Sequence, residues 1–244
     1  MLIDTRTTYP VECGSHSNCI PMIAWGSIEP HGEQLPYLTD TILAGNIAID
    51  SAEKSESRCL LLPSVSMGSQ NPGQWDKTMC IHFSQETQKS FLSDIVSSLE
   101  IQDFDKLVIV NGHNGNSFKG IVRDIEFSHP RFKIYICNYL DAVEKMKPSD
   151  TIPFPDTDDH AGFTETSLMM HYAPMLMDFS RSASGVPDKT NYALSTMWTP
   201  REWDKYSMNT RIGDASMASA SYGEEIADFV TTEIARDLES IAWM

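Results

Sequence analysis

The sequence contains few basic residues for its length. Its 244 residues include 18 Lys and Arg against 34 Asp and Glu, which gives a formal net charge of −16. Because proteins bind nucleic acids largely through basic residues that contact phosphates, this deficit argues against a nucleic-acid partner. A strongly acidic surface is more consistent with a soluble protein.

The sequence also lacks long apolar runs and closely paired cysteines. No segment approaches the ~20 apolar residues that a membrane-spanning helix needs, so no membrane partner is expected. Residues 1–6 show no basic segment followed by an apolar one, so no signal peptide is predicted. The scattered cysteines argue against a structural zinc site and predict reduced thiols in the cytoplasm. They are Cys13, Cys19, Cys59, Cys80 and Cys137.

Short apolar runs alternate with segments of helical periodicity. The strands predicted from the runs are 19–25, 59–65 (ending near Pro63), 106–110 and 132–137. The predicted helices are 40–52, capped by Thr39 or Asp40, and 84–99, 117–127, 164–172 and 223–241. Residues 141–160 and 180–212 are expected to be irregular. This alternation predicts an α/β fold, a three-layer αβα sandwich around a mostly parallel sheet, in one domain over residues 1–244.

Acidic and histidine residues follow three of the predicted strands. In open parallel sheets, ligands bind beyond the carboxyl ends of the strands, so these side chains are expected to converge on one edge. Carboxylate and imidazole together favour Zn²⁺, Mn²⁺ or Fe²⁺. In chain order the residues are Glu29, His31, Asp40, His113, His160 and Glu165.

Each of these residues alone also has an ordinary explanation. Glu29 could be a surface acid, Asp40 a helix cap and His113 a hydrogen-bonded loop residue. The segment 111–116 could be a simple turn, because Asn and Gly tolerate positive φ. The convergence of three groups on one sheet edge favours a shared metal site over these separate explanations.

Three motifs resemble those of the creatininase (creatinine amidohydrolase) family. Residues 26–40, which read GSIEPHGEQLP…D, resemble the signature G-S-x-E-x-H-G-x-H-L-P…D. Residues 111–116 are similar to the N-G-H-x-x-N block, and residues 160–167 to the H-A-G-x-x-E-T-S block. The order and spacing of these blocks agree over about residues 20–175.

The resemblance implies a centre of one or two divalent ions, with Zn, Mn or Fe as candidates. Creatininase carries a glutamate ligand where this chain has Gly115, and Glu165 would replace it. Asp40 would bridge the two ions. The implied ligands are Glu29, Asp40 and His113 for one ion, and His31, Asp40 and Glu165 for the other.

The implied reaction is hydrolysis of an amide or lactam by a metal-activated water. His160, oriented by Asp159, would pass a proton to the leaving nitrogen. Substrate contacts are expected from Gln74, Trp75 and Asn116.

The loop after Gly68 departs from the E-H-x-x-F-P-G-T pattern of many relatives, and Gln34 stands where the signature often has a second His. Creatinine itself is therefore a doubtful substrate.

The favoured function is an amidohydrolase acting on a small cyclic amide or formamide. A deformylase, a small-peptide hydrolase or a lactone-opening hydrolase of the same family fits the same motifs, and a sugar-isomerising enzyme or a non-catalytic metal- or ligand-binding protein is the alternative from another class. The resemblance also implies a small-molecule substrate and a homo-oligomer such as a hexamer.

Overall fold

A computed structural model describes residues 19–147, 151–181, 196–205, 207 and 209–243. Over these residues the chain alternates strands with helices and ends on a long helix. In chain order the elements are β1 Cys19–Trp25, α1 Thr39–Lys54, β2 Arg58–Val65, α2 Gln85–Ile101, β3 Lys106–Asn111, α3 Phe118–Ser128, β4 Lys133–Asn138, α4 Tyr139–Met146, α5 Phe163–Tyr172, short 3-10 helices at Pro174–Leu176 and Trp203–Lys205, and α6 Ala220–Ile241.

The four strands form one parallel sheet in the order β2-β1-β3-β4. The chain passes from β1 outward to β2 and then crosses back over β1 to reach β3. The direction of the connections therefore reverses between β1 and β3. The carboxyl ends of two such strands border the crevice in which open α/β sheets bind their ligands.

Alternate residues of β1 enter two separate cores. Ile20 and Met22 pack with α1, α4, α5 and α6 on one face of the sheet. Ile23 and Trp25 pack with α2 and α3 on the other face. A sheet covered on both faces needs apolar residues at successive positions, which explains the continuous apolar run of this strand. The predicted αβα sandwich is confirmed, and Trp25 is a core residue.

Two element boundaries differ from the sequence-based prediction. Pro63 lies inside β2 rather than at its end. This strand is at the sheet edge, and its pairing with β1 shifts register between Ile23 and Trp25, so the missing proline N–H is tolerated. Residues 141–146 belong to α4 rather than to a loop, and they pack Ala142 and Met146 into the core.

The prediction that Thr39 or Asp40 caps α1 is wrong. The capping position is Leu38, without a side-chain hydrogen bond, and Asp40 lies in the first turn of the helix. Among the described residues, no helix is both long and apolar enough to cross a membrane. The single domain over residues 1–244 stays a prediction. Parts of the expected irregular stretch, residues 182–195, 206 and 208, lie outside the described residues.

Candidate metal centre at the carboxyl edge of the sheet

The first turn of α1 lies directly against the end of β3. A Cβ atom on Gly112 would sit 2.3 Å from the carbonyl oxygen of Asp40, so a glycine is required for this close approach. The carboxylate of Asp40 is buried at the crevice between β1 and β3. The residue expected to cap the helix is therefore the residue that the helix delivers to the site.

One group of candidate ligands joins the loop after β1, the start of α1 and the loop after β3. Nδ1 of His113 lies 3.1 Å from Oε1 of Glu29 and 3.1 Å from Oδ2 of Asp40. All three residues are buried, and their ligand atoms lie within 4.8 Å of one another. This group has the composition that the family resemblance implied for the first ion.

A second group uses the other oxygen of Asp40. Nε2 of His31 lies 2.8 Å from Oδ1 of Asp40 and 3.9 Å from Oε2 of Glu165. These three ligand atoms also lie within 4.8 Å of one another. Asp40 thus offers one carboxylate oxygen to each group. A third combination, Glu29, His31 and His160, overlaps both groups.

Backbone carbonyl groups fix the orientation of both candidate histidine ligands. Nε2 of His113 lies 2.7 Å from the carbonyl oxygen of Ser69, and Nδ1 of His31 lies 3.0 Å from the carbonyl oxygen of Glu29. A carbonyl oxygen can only accept, so we assign the ring hydrogen to these two nitrogens. In the neutral rings, the lone pairs of His113 Nδ1 and His31 Nε2 then face the carboxylates. Histidine ligands of metal ions are typically held in this way.

The donor set fits one or two divalent cations. Three carboxyl groups are buried together, on Glu29, Asp40 and Glu165. Oδ2 of Asp40 accepts no hydrogen bond of acceptable geometry, although a His113 nitrogen lies 3.1 Å away. Buried charges are costly unless they are paired or coordinate a metal, and oxygen with imidazole nitrogen suits Zn²⁺, Mn²⁺ or Fe²⁺.

The three carboxyl groups have different pKa values in the metal-free protein. Burial raises the pKa of Glu29, but the charges of His113 and His160 outweigh burial and lower it overall. Burial likewise opposes ionisation of Asp40, and His31 and His113 hold its pKa far below the ordinary value. For Glu165, burial dominates over the charge of His31 and raises the pKa to about 8.

The imidazole groups also differ in their pKa values. Burial lowers the pKa of His31, yet the charge of Asp40 and its hydrogen bond raise the value to about 10. His113 is raised well above its ordinary pKa, because Glu29 and Asp40 outweigh its burial. Burial and the nearby His31 lower the pKa of His160 to about 4, so this ring is neutral at pH 7. The site therefore combines charged imidazoles among acids with one neutral imidazole.

His160 lies beside the candidate ligands with its ring held from two sides. Its Nε2 lies 2.8 Å from the carbonyl oxygen of Pro30, and its Nδ1 lies 3.5 Å from Oε1 of Glu29. The ring also packs edge-on against Trp203, with 4.5 Å between centroids. Asp159 was expected to orient this ring. Its carboxylate instead accepts the backbone N–H of His160 and pairs with Arg201.

The three predicted substrate contacts occupy different positions. Trp75 lines the cavity above the site and is 55% exposed. Gln74 is buried behind Glu29, because its amide nitrogen donates to Oε2 of that residue and its amide oxygen accepts from Asn71. Gln74 is therefore a neighbour of a candidate ligand, and its contact with a substrate stays a prediction.

Asn116 lines the cavity, but its amide is engaged within the protein. Its oxygen accepts from the Ser69 N–H and from Gln88, and its nitrogen donates to Asn111 at 3.0 Å. The amide thus ties the loops after β2 and β3 together. The contact of Asn116 with a substrate stays a prediction.

Position 115 has no room for a side chain. A Cβ there would lie 2.2 Å from Nε2 of His113 and 2.2 Å from the Ser69 carbonyl oxygen. A glutamate at 115 would therefore disrupt the hydrogen bond that orients His113. The structure instead brings Glu165, from α5, to the second group.

Several contributing groups could not be found from the sequence. The backbone carbonyl groups of Pro30 and Ser69 carry no side-chain signal. Nothing in the sequence neighbourhood of Trp203 connects it with His160. The cavity that His160 and Trp203 border has a volume of about 1230 Å³ and extends to the rim residues Trp198 and Arg201.

The fold and the site define the class of protein. It is a three-layer αβα sandwich with a candidate metal centre of buried carboxylates and imidazoles at the carboxyl edge of the sheet. The sequence profile of Creatininase, described as creatinine amidohydrolase, matches residues 8–238. The chain therefore belongs to the creatininase family.

Two curated relatives align with much of the chain. A mycofactocin precursor peptide peptidase of Mycobacterium ulcerans (strain Agy99) is 28% identical over 67% of this chain. The chain spans 62% of the length of that peptidase. A creatinine amidohydrolase of Pseudomonas putida is 25% identical over 70% of this chain and 70% of its own length.

Solved structures show the same fold. A protein of Bacteroides fragilis NCTC 9343, named as a candidate creatinine amidohydrolase, is 38% identical with a TM-score of 0.85, covering 92% of this chain and 90% of its own. A structure described as creatininase Mn is 22% identical with a TM-score of 0.74, covering 91% of each chain. The latter likeness concerns the fold alone.

Proposed function

We propose that this protein is a metal-dependent amidohydrolase that cleaves a C–N bond of a small cyclic amide or formamide. The observation that carries the proposal is the position of Asp40, which offers one oxygen to each of two carboxylate–imidazole groups. Membership of the creatininase family supports a hydrolase, and the names of both curated relatives describe hydrolases.

The proposed ligand sets follow the two groups. Glu29, Asp40 and His113 would hold one divalent ion, and His31, Asp40 and Glu165 would hold a second. Asp40 would serve both ions, because its two oxygens face different histidines. When bound, such ions lower the pKa of water to about 7 and polarise a substrate carbonyl.

His160 is the proposed proton-transfer residue. The Pro30 carbonyl oxygen can only accept, so the hydrogen of the neutral ring is on Nε2. Nδ1 is then the basic nitrogen, and it faces the site near Glu29. From there it can take a proton from the attacking water and give it to the leaving nitrogen. Asp159 contributes by fixing the backbone of His160 and by its ion pair with Arg201.

This role is tested with His160→Gln. General acid–base catalysis contributes about 10²–10⁴-fold, so kcat on an active substrate should fall by roughly that factor. The number of bound ions should not change. His129→Gln is the matched control, because that ring pairs with Glu100 at 2.8 Å, away from the site. Loss of an ion from His160→Gln would identify His160 as a ligand instead.

A small-peptide hydrolase is the second candidate. The cavity of about 1230 Å³ is larger than the ~300–1,000 Å³ of ordinary small-molecule pockets, so it has room for more than a single small ring. Turnover on lactams, N-formyl compounds and short peptides, each with chelator and with added Mn²⁺ or Zn²⁺, separates these substrates. A metal-binding protein without activity would turn over none of them. Ring opening of lactones without release of an amine would favour the lactone-opening alternative.

Localisation and assembly remain part of the proposal. A cytoplasmic enzyme is expected from the cysteine pattern, and a homo-oligomer such as a hexamer from the family resemblance. Analytical ultracentrifugation of the purified chain measures the assembly state directly. A monomer at micromolar concentration would contradict the expected oligomer.

A further inference from the structure

The loop that connects β2 to α2 closes on itself near the candidate metal centre. Residues 68–83 form this loop, called here the 68–83 loop. The Phe83 N–H donates to the Gly68 carbonyl oxygen at 2.8 Å, and the Ser69 hydroxyl donates to the Phe83 carbonyl oxygen at 2.8 Å. Inside the loop, the Gln70 N–H donates to Nδ1 of His82 at 2.8 Å. The two ends of the loop are therefore joined by several hydrogen bonds.

The 68–83 loop contacts two candidate ligands on the sides that face away from the candidate metal centre. The Ser69 carbonyl oxygen lies 2.7 Å from Nε2 of His113, and the amide nitrogen of Gln74 lies 2.5 Å from Oε2 of Glu29. Both ligands belong to the first group. The contacts leave His113 Nδ1 and Glu29 Oε1, which are 3.1 Å apart, facing the centre.

The orientation of the Gln74 amide is fixed by a second hydrogen bond. The Asn71 N–H donates to Oε1 of Gln74 at 2.9 Å, so the NH₂ group must be the end that faces Glu29. The Gln74 side chain is 1% exposed. A buried amide donating to a carboxylate makes a charge-assisted hydrogen bond, which is stronger than a neutral one.

The second group is supported by other parts of the chain. His31 is held by the Glu29 carbonyl oxygen at 3.0 Å, and Glu165 by the Ala161 N–H at 2.6 Å. Gln34, a buried amide like Gln74, donates to the Ala161 carbonyl oxygen at 3.2 Å. Among the described residues, the hydrogen bonds found for His31 and Glu165 do not involve the 68–83 loop.

We propose that the 68–83 loop is the outer support of the Glu29–Asp40–His113 site alone, so that an ion at this site and the order of the loop stabilise each other. Gln74 acts as a positioning residue for Glu29. This inference rests on the metal binding in the proposed function and goes beyond it. Because the same loop carries Gln70 and Trp75 to the cavity, the ion at this one site also sets the shape of the substrate wall.

The coupling is tested on the full chain with Mn²⁺ as the probe. Isothermal titration counts the classes of bound Mn²⁺, and hydrogen–deuterium exchange of peptides covering 68–83 reports loop order. In the wild type, Mn²⁺ should slow exchange of the loop several-fold, and the slowing should saturate with one of two binding classes. Partners behind metal ligands typically contribute 10–100-fold to affinity, so Gln74→Leu should weaken that class by about this factor and leave the other unchanged.

Gln34→Leu is the matched control, because it removes a buried amide beside the other group. In this variant, Mn²⁺ should still slow exchange of the loop. If circular dichroism shows that Gln74→Leu does not fold, Gln74→Met replaces it, because methionine preserves the side-chain length. The saturation of loop protection in the wild type also tests the coupling, and it needs no substitution.

Two results would overturn the proposal: loop exchange that does not respond to Mn²⁺, or both binding classes intact in the Gln74 variant. A wild type that binds no ion would overturn this inference and the proposed function together. Two bound ions, a responsive loop and no amide turnover would reject the amidohydrolase function and retain the coupling.

Discussion

Glu29 and Glu165 are the same side chain in the same buried centre, yet their pKa values move in opposite directions. Glu29 has His113 at 3.1 Å and His160 at 3.5 Å, and its pKa is lowered despite burial. Glu165 has His31 at 3.9 Å, and burial raises its pKa to about 8. Two close imidazoles, one of them hydrogen-bonded, outweigh burial at Glu29, whereas the one more distant imidazole at Glu165 does not outweigh burial and the neighbouring carboxylates.

The comparison shows that the two ligand groups are not equivalent. In the Glu29 group both carboxylates are ionised before an ion arrives, and only the imidazolium of His113 must release a proton to bind it. In the Glu165 group both the imidazolium of His31 and the carboxyl group of Glu165 hold a proton near neutral pH, and binding of a cation there must release both. The group with the ready-made charges should therefore bind its ion more tightly at neutral pH.

The largest expected effect comes from Asp40→Asn, which removes the carboxylate shared by both groups. Loss of a partner behind a ligand already costs 10–100-fold in affinity, so loss of this common ligand should weaken both ions by more than about 100-fold. Activity should be abolished. Elemental analysis and turnover measure the two effects.

Asp50→Asn is the control for this substitution. Asp50 lies on the same helix, and its carboxylate accepts from the Tyr172 hydroxyl at 2.7 Å. This variant should keep the ions and the activity. An Asp40→Asn protein with full activity would show that the two groups do not share Asp40, and the comparison would lose its basis.

The pH dependence of stability in the metal-free protein sharpens the comparison. The pKa of Glu165 rises from 4.5 to about 8 on folding. Between these values the folded chain holds a proton that the unfolded chain has released, so this group makes the free energy of unfolding fall as pH rises, and its effect levels off above pH 8. One pKa unit corresponds to ~1.4 kcal/mol, so the effect is on the order of a few kcal/mol.

Glu165→Gln should remove this loss, because glutamine does not ionise. In urea titrations of protein that a chelator keeps free of metal, the free energy of unfolding of the variant should rise relative to that of the wild type between pH 5 and pH 8. Glu224→Gln, at an exposed position of α6, should follow the wild type. Parallel pH profiles for wild type and Glu165→Gln would mean that Glu165 is ionised in the metal-free site.

The smallest expected effect concerns the cavity wall. Aromatic contacts add about 0.5–1.5 kcal/mol beyond area burial, so Trp75→Ala should raise KM by up to about tenfold with little change in kcat. Trp243→Ala is the control, because Trp243 is 86% exposed and does not border the cavity. An unchanged KM would restrict Trp75 to a structural role, through its indole hydrogen bond to the Gln70 carbonyl oxygen at 2.8 Å.

Sequence reasoning identified what depends on local pattern. The apolar run at 19–25 predicted β1 correctly, and the rule that ligands follow strand ends brought Glu29 and His113 to one edge. Long-range partners were not predictable in the same way. No local pattern shows that the amide of Gln74, 45 residues away, donates to Glu29.

Backbone groups and competing partners account for other differences between the sequence-based prediction and the structure. The ring of His160 is held by the Pro30 carbonyl oxygen, which every residue type could supply, while Asp159 is engaged by a backbone N–H and by Arg201. Residues 141–146 were assigned to a loop because of the prolines that follow, although Ala142 and Met146 have helical spacing.

The most direct test of a two-ion centre is the number of metal ions per chain in the wild type, Glu29→Gln and Glu165→Gln, measured by elemental analysis after reconstitution with Mn²⁺. The account predicts close to two ions in the wild type and close to one in each variant, because each substitution weakens one group and leaves Asp40 to the other. One ion in all three proteins, or none in the wild type, would contradict it.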